Sequence, residues 1–256
     1  MEEDDESREI ERLTTHYIAA ARECVELWTT GDKDFNFKVG MSQKVRAVFP
    51  VVAHAMAQTV AALRLYDLGL VYAARANVRV ALEHAIVAQS VVHTHGGEDY
   101  LIGSMERLHT NILTDLKNSG VEIPARLTPN LVHPPAELQI NLQVICRRFD
   151  PTGSFYGLYR NLSSGTHVSL ATLRAYVDVD QVDGSVAFRL GEGGEHDAQQ
   201  DQALGWSPVL ALSAIESLRQ DESRLRAVEE IAKNHELIAD LRHLDTEPQK
   251  QQAPRP

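Results

Sequence analysis

Between Tyr159 and His167 the chain reads Tyr159-Arg160-Asn161-Leu162-Ser163-Ser164-Gly165-Thr166-His167, which crowds a strong cation, hydroxyls and a titratable imidazole into one short stretch. Six residues separate Arg160 from His167. On an unbroken helix this spacing is about 700° of rotation and roughly 10.5 Å of rise, so both side chains fall on one face with Ser163 and Ser164 between them. A phosphate could lie across that face. A guanidinium presents a planar fork matched to phosphate oxygens, and an imidazole titrates near neutral pH. The same residues also admit a structural use, with Arg160 paired to a buried carboxylate and His167 capping or filling a helix contact.

A second group of charges sits in an apolar stretch. Leu70 to Thr94 has the periodicity of a helix, and between Val71 and Val92 its formal charges are Arg75, Arg79 and Glu83 alone. Tyr72, Arg75, Arg79, Glu83, Ser90 and His93 fall within an arc of about 80° on the helical wheel. Two arginines four residues apart repel, and Arg placed before Glu is the weaker order for a helical ion pair. The stripe therefore needs a partner from another element. Either a carboxylate or carbonyl groups of a neighbouring helix close it as a structural network, or it faces Arg160 and His167 and completes one site, with Glu83 orienting or tuning a nearby cation.

The frame that must position these residues is helical. An acidic leader, Met1 to Glu6, precedes an amphipathic helix from Ser7 to Thr29 that Gly31 ends. Ser42 is placed to cap a helix running to Leu68, which Pro50 should kink or split near Phe49. After Leu70 to Thr94, a further helix spans Glu98 to Lys117. The segment Val121 to Pro135, with Pro124, Pro129, Pro134 and Pro135, reads as a loop, either a plain connector or the wall of a groove. Ala136 to Phe149 returns to helix, and Arg147-Arg148 at its end suit the helix dipole. Ser154 can cap a helix through Leu162, with Gly165 closing it or lying in a break before Thr166 to Tyr176.

Further on, Val177 to Leu190 contains Asp183-Gly184 and admits a short β-hairpin, and Gly191 to Gln202 reads as an exposed acidic loop. Ser207-Pro208 marks the start of a helix carried to about Leu244, with Ser223 or Asn234 as local breaks, and Asp245 to Pro256 reads as a disordered tail. The predicted architecture is all-α. It is a multi-helix bundle with a short β-hairpin near 177–190, forming a single helical domain over 7–244. Its core lies in about 40–180 and its C-terminal helix in about 207–244.

Composition narrows the chemistry. With Lys+Arg 25 against Asp+Glu 36, the formal charge of −11 repels a nucleic-acid backbone at long range, so no broad duplex-DNA surface is expected. Cys24 and Cys146 stand far apart without a C-x-x-C partner, and the N-terminus lacks the pattern of a signal sequence. A reduced, cytoplasmic protein without a membrane segment is the expectation. His93-Thr94-His95 points its rings to different sides of a helix, and no glycine-rich phosphate loop, nucleophile elbow or H-E-x-x-H is present. Neither a metal nor a cofactor is expected.

The stretch at Arg160, with polar Asn161 opening the spacer before His167, resembles the Arg–spacer–His motif of the HEPN superfamily. Arg79 with Glu83, followed by Tyr159-Arg160, Leu162-Ser163 and His167, is closer still to an uncharacterised group of bacterial all-helical proteins with R-x-x-x-E and Y-R-x-L-S-x-x-x-H signatures. The likeness covers roughly residues 40–180. It implies a metal-independent ribonuclease or nucleotide-binding protein, a toxin or defence effector, in which Arg160 and His167 are catalytic. In that role Arg75, Arg79, Glu83, Tyr159, Asn161, Ser163 and Ser164 bind or support, RNA or a nucleotide is the partner, and a homodimer builds the site. The competing reading is a non-catalytic helical scaffold in which both clusters are structural or dimer contacts.

Overall fold

Helical periodicity in the first half of the chain becomes four helices, α1 (Glu2–Thr30), α2 (Ser42–Asp67), α3 (Arg75–His93) and α4 (Gly97–Asn118). Four more follow as α5 (Leu142–Phe149), α6 (Ser154–Gly165), α7 (Ala198–Glu216) and α8 (Ser223–Asn234). This computed structural model describes residues 2–30, 36–124, 140–167, 176–179, 184–188 and 196–242. The architecture is an all-α bundle. One antiparallel pair, β1 (Val177–Val179) with β2 (Val186–Phe188), sits where the hairpin is expected, in the register Val177 to Phe188 and Val179 to Val186. The expected tail from Asp245, most of the proline-rich segment and most of Thr166 to Tyr176 lie outside the described residues.

At the centre stands α7, buried on nearly every side and packed against α1, α2, α3 and α8. From Ala203 to Ile215 it is apolar on nearly every side and has no solvent face to present, which forces it inside. Small residues bring its neighbours close: a Cβ on Gly205 would lie 3.1 Å from the backbone of Tyr17, and Ala20 and Ala21 of α1 are fully buried. Ser207-Pro208 is not a helix start. The helix begins at Ala198, where the Asp197 carboxylate accepts from the backbone N–H groups of Gln199 and Gln200 at 2.9 and 3.3 Å. Pro208 removes one internal hydrogen bond, and burial around it holds the segment helical. The expected C-terminal helix is two helices, and Ser223 and Asn234, the positions expected as local breaks, are the two ends of α8.

Similarly, α2 runs unbroken through Pro50, which is exposed on the solvent side, so the carbonyl that loses its partner can be hydrated. Its N-cap is Met41, without a side-chain bond, instead of Ser42. By length and composition α2 could cross a membrane, yet its apolar face packs against α3 and α7, which accounts for the apolarity. The acidic leader is the first part of α1. The first turn of α6 is held by Asp150, whose Oδ2 accepts from the Phe155 N–H at 2.8 Å, while Gly153 takes a positive φ of 78°. Ser154 is not its cap.

Candidate functional site

The inner face of α6 is set by Phe155, Leu158, Leu162 and Gly165, all buried. Phe155 stacks on Trp206 of α7, with ring centroids 4.5 Å apart. Tyr159 stands at the edge of this face and turns toward α3. Its hydroxyl donates to Glu83 Oε2 at 3.2 Å and accepts from Arg79 Nη2 at 3.1 Å. Arg79 Nη2 also pairs with Glu83 Oε2 at 3.4 Å, and its guanidinium lies 5.3 Å from the centre of the Tyr159 ring. The Arg79–Glu83 pair of the α3 stripe thus finds its partner in the motif segment. That partner is Tyr159.

One turn earlier on α3, Arg75 is 6% exposed and its Nη2 reaches Asp197 Oδ2 at 2.9 Å. Its shaft crosses Gly165 so closely that a Cβ there would lie 2.6 Å from Nε. Tyr72 donates its hydroxyl to the Gly165 carbonyl at 3.0 Å. The guanidinium therefore lies between the carbonyl end of α6 and the N-cap carboxylate of α7, where positive charge is favoured on both counts. At the other end of the stripe, His93 Nε2 faces Gln89 Oε1 at 2.9 Å and Asp240 Oδ1 at 3.2 Å.

Arg160 points elsewhere. On the wheel it lies about 160–200° from Leu158 and Leu162, so it is exposed, and it makes no hydrogen bond or ion pair among the described residues. His167 is exposed in the bend after Gly165. Asn161 Nδ2 donates to Gln199 Oε1, tying α6 to α7. Ser163 and Ser164 donate to the carbonyls of Tyr159 and Asn161 at 2.9 and 2.7 Å, which spends both hydroxyls inside the helix. Arg79, Glu83 and Tyr159 are therefore brought together beside Arg75, whereas Arg160 is exposed within α6 and His167 lies beyond its last residue, Gly165, so the unbroken helix expected to align them on one face is not formed.

A further polar cluster had no sequence signal beyond the five-residue step from His196 to Asp201. Asp201 is wholly buried and accepts from Tyr66 at 2.7 Å and Thr14 at 3.1 Å, and His196 Nδ1 lies 3.2 Å from its Oδ2. That contact places a proton on Nδ1. Burial, reinforced by the neighbouring Asp201 charge, pushes the Tyr66 phenol above its ordinary value, so it remains a neutral donor. The cluster joins α1, α2 and α7. No group of three His, Cys, Asp or Glu side chains able to hold a metal occurs among the described residues.

Compared with family models, with curated proteins and with solved structures, the chain finds no match.

Proposed function

We propose that the chain is a HEPN-like, metal-independent ribonuclease whose Arg160 and His167 act together on an RNA phosphate. One observation carries the reading: Tyr159 is anchored to Glu83 and Arg79, and this fixes the rotation of α6 so that Arg160 is exposed without an ion pair among the described residues. A guanidinium held out to solvent in a chain of charge −11 is a local anion site within a repulsive surround. His167, exposed just past the same helix, supplies an imidazole that can take a proton from a ribose hydroxyl.

In the reaction the ribose 2′-oxygen bonds to the adjacent phosphorus while its proton passes to the His167 imidazole. The bond to the 5′-oxygen breaks, and that oxygen takes a proton from solvent. Arg160 offsets the charge growing on the phosphate oxygens. The products are a 2′,3′-cyclic phosphate and a 5′-hydroxyl. Arg75, Arg79, Glu83 and Tyr159 act as support that holds α6 in register. A second copy meeting this face, cytoplasmic location and use as a toxin or defence effector belong to the same proposal, resting on the motif likeness.

The test is cleavage of end-labelled RNAs in chelator by wild type, Arg160→Ala and His167→Ala. Wild type should leave cyclic-phosphate ends, and each variant should lose roughly a hundredfold or more in rate. Cleavage indifferent to both substitutions, or no cleavage by any of the three across varied RNAs, overturns the proposal. A non-catalytic helical scaffold is the second reading, favoured by the reciprocal pairing of Arg75 with Asp197 and of Arg79 with Glu83 and Tyr159, which needs no ligand.

A further inference from the structure

A cavity of about 300 Å³ opens between the end of α3, the start of α4 and α5, and no residue of α6 lines it. Gly97 makes this junction tight, because a Cβ there would lie 2.6 Å from the Val91 carbonyl oxygen. Val87, Val91, Val144 and Ile145 form much of the wall. At this volume and with this lining it lies at the small end of organic-ligand pockets, which are mostly apolar with a few placed polar groups. The placed group here is Arg148. Its Nη1 donates to Thr94 Oγ1 at 2.9 Å, and its guanidinium lies 5.6 Å from the centre of the Phe149 ring.

Those two contacts orient the guanidinium without neutralising it, since Arg148 makes no ion pair among the described residues. Asp99 also lines the cavity, and the bond that its Oδ1 accepts from Gln43 Nε2 at 2.8 Å fixes the carboxylate without removing its charge, which leaves Arg148 as the lining group for an anion. An oriented, uncompensated cation at the rim of an apolar hollow selects a ligand with one negative group and a hydrocarbon body. A neutral apolar molecule would leave the guanidinium unused, and a polyanion would be opposed by the net charge of −11. We propose that this cavity binds a small organic monoanion of the medium-chain carboxylate class, its carboxylate on Arg148 and its chain against Val87, Val91 and Ile145.

Calorimetric titration with octanoate tests the assignment on the full chain, beside Arg148→Gln and Val144→Trp. Both positions are exposed, and Val144 is 64% exposed, so neither substitution threatens the core. Wild type should give a saturable one-site isotherm. Arg148→Gln should weaken it roughly tenfold or more by removing a charge-assisted pair, and the indole of Val144→Trp should fill the cavity and abolish it. Octan-1-ol should bind at least about tenfold more weakly than octanoate. An isotherm that Val144→Trp leaves unchanged, equal binding of the alcohol, or no saturation in wild type overturns the proposal.

Discussion

Replacing Gly165 by Ala probes whether the α3 stripe and the end of α6 form one packed unit. A Cβ at this position would lie 2.6 Å from Arg75 Nε, closer than real Cβ contacts come, and a tight 3.2 Å from Cζ. Arg75 cannot swing aside freely, because it is 6% exposed and tethered to Asp197 at 2.9 Å. Relief requires moving the guanidinium off its carboxylate or lifting α6, an overpacking cost of about 1–3 kcal/mol. Against this, Ala for Gly gains at most about 1 kcal/mol of helix propensity, less at the last helical residue. The net expectation is a loss of about 1–2 kcal/mol, or about 2–8 °C in Tm for a chain of this size. Urea unfolding of wild type, Gly165→Ala, Arg75→Ala and the double variant measures it. With Arg75 truncated the obstruction is gone, so Gly165→Ala should become neutral or slightly stabilising, a coupling of about 1–3 kcal/mol. A Gly165→Ala protein that is more stable than wild type, or that loses the same amount with and without Arg75, would falsify the packing described.

The remaining predictions separate anchored groups from exposed ones. Tyr159→Phe deletes the hydroxyl shared by Glu83 and Arg79 and should cost about 1–2 kcal/mol in urea unfolding, while Arg160→Ala should stay within about 0.5 kcal/mol; equal effects would contradict the register of α6. Glu216 is 1% exposed and pairs with Arg224 at 2.9 Å and Arg219 at 3.4 Å, so Glu216→Ala should cost about 3–5 kcal/mol by removing the buried carboxylate that both cations face, and a cost under about 1 kcal/mol would be incompatible with that pairing. Burial holds the His84 imidazole below its ordinary pKa, with the His54 ring, whose Nδ1 is 3.0 Å from His84 Nε2, opposing a second charge. The unfolded chain therefore binds more protons as pH falls through about 6.5, so this contribution is complete above that value and declines below it. Chemical unfolding at about pH 7.5 and about pH 5.5 should show a loss that shrinks in His84→Gln; an unchanged loss excludes His84 as its source.

The stripe on α3 was legible because charges inside an apolar period stand out, and the need for a partner from another helix follows from the weakness of Arg-before-Glu pairing. The identity of that partner was not legible. Tyr159 and Arg160 differ by one residue, hence by about 100° on the wheel, and which of them meets α3 is decided by Phe155 and Leu162 seating α6 against its neighbours. Asp197 is 122 residues from Arg75, a pairing that no local spacing encodes. Arg148 shows the same limit from the other side. Its position at a helix end is explained by the dipole alone, and its place at the rim of a cavity depends on how α3, α4 and α5 converge. Helix limits failed where context overrode local signals: Pro50 is tolerated on an exposed face, and Pro208 is held helical by the burial around it.

The central position of α7 has a consequence for how the chain matures on the ribosome. The helices that pack around it, α1 to α3, are complete by His93, yet Ala198 is translated about a hundred residues later. At about 5–20 residues per second, the apolar faces of those helices wait roughly 5–20 s for the segment that covers them. Slower decoding within residues 94–197 would lengthen that exposure and favour aggregation of nascent chains, whereas a variant translated faster there should yield more soluble protein from the same message.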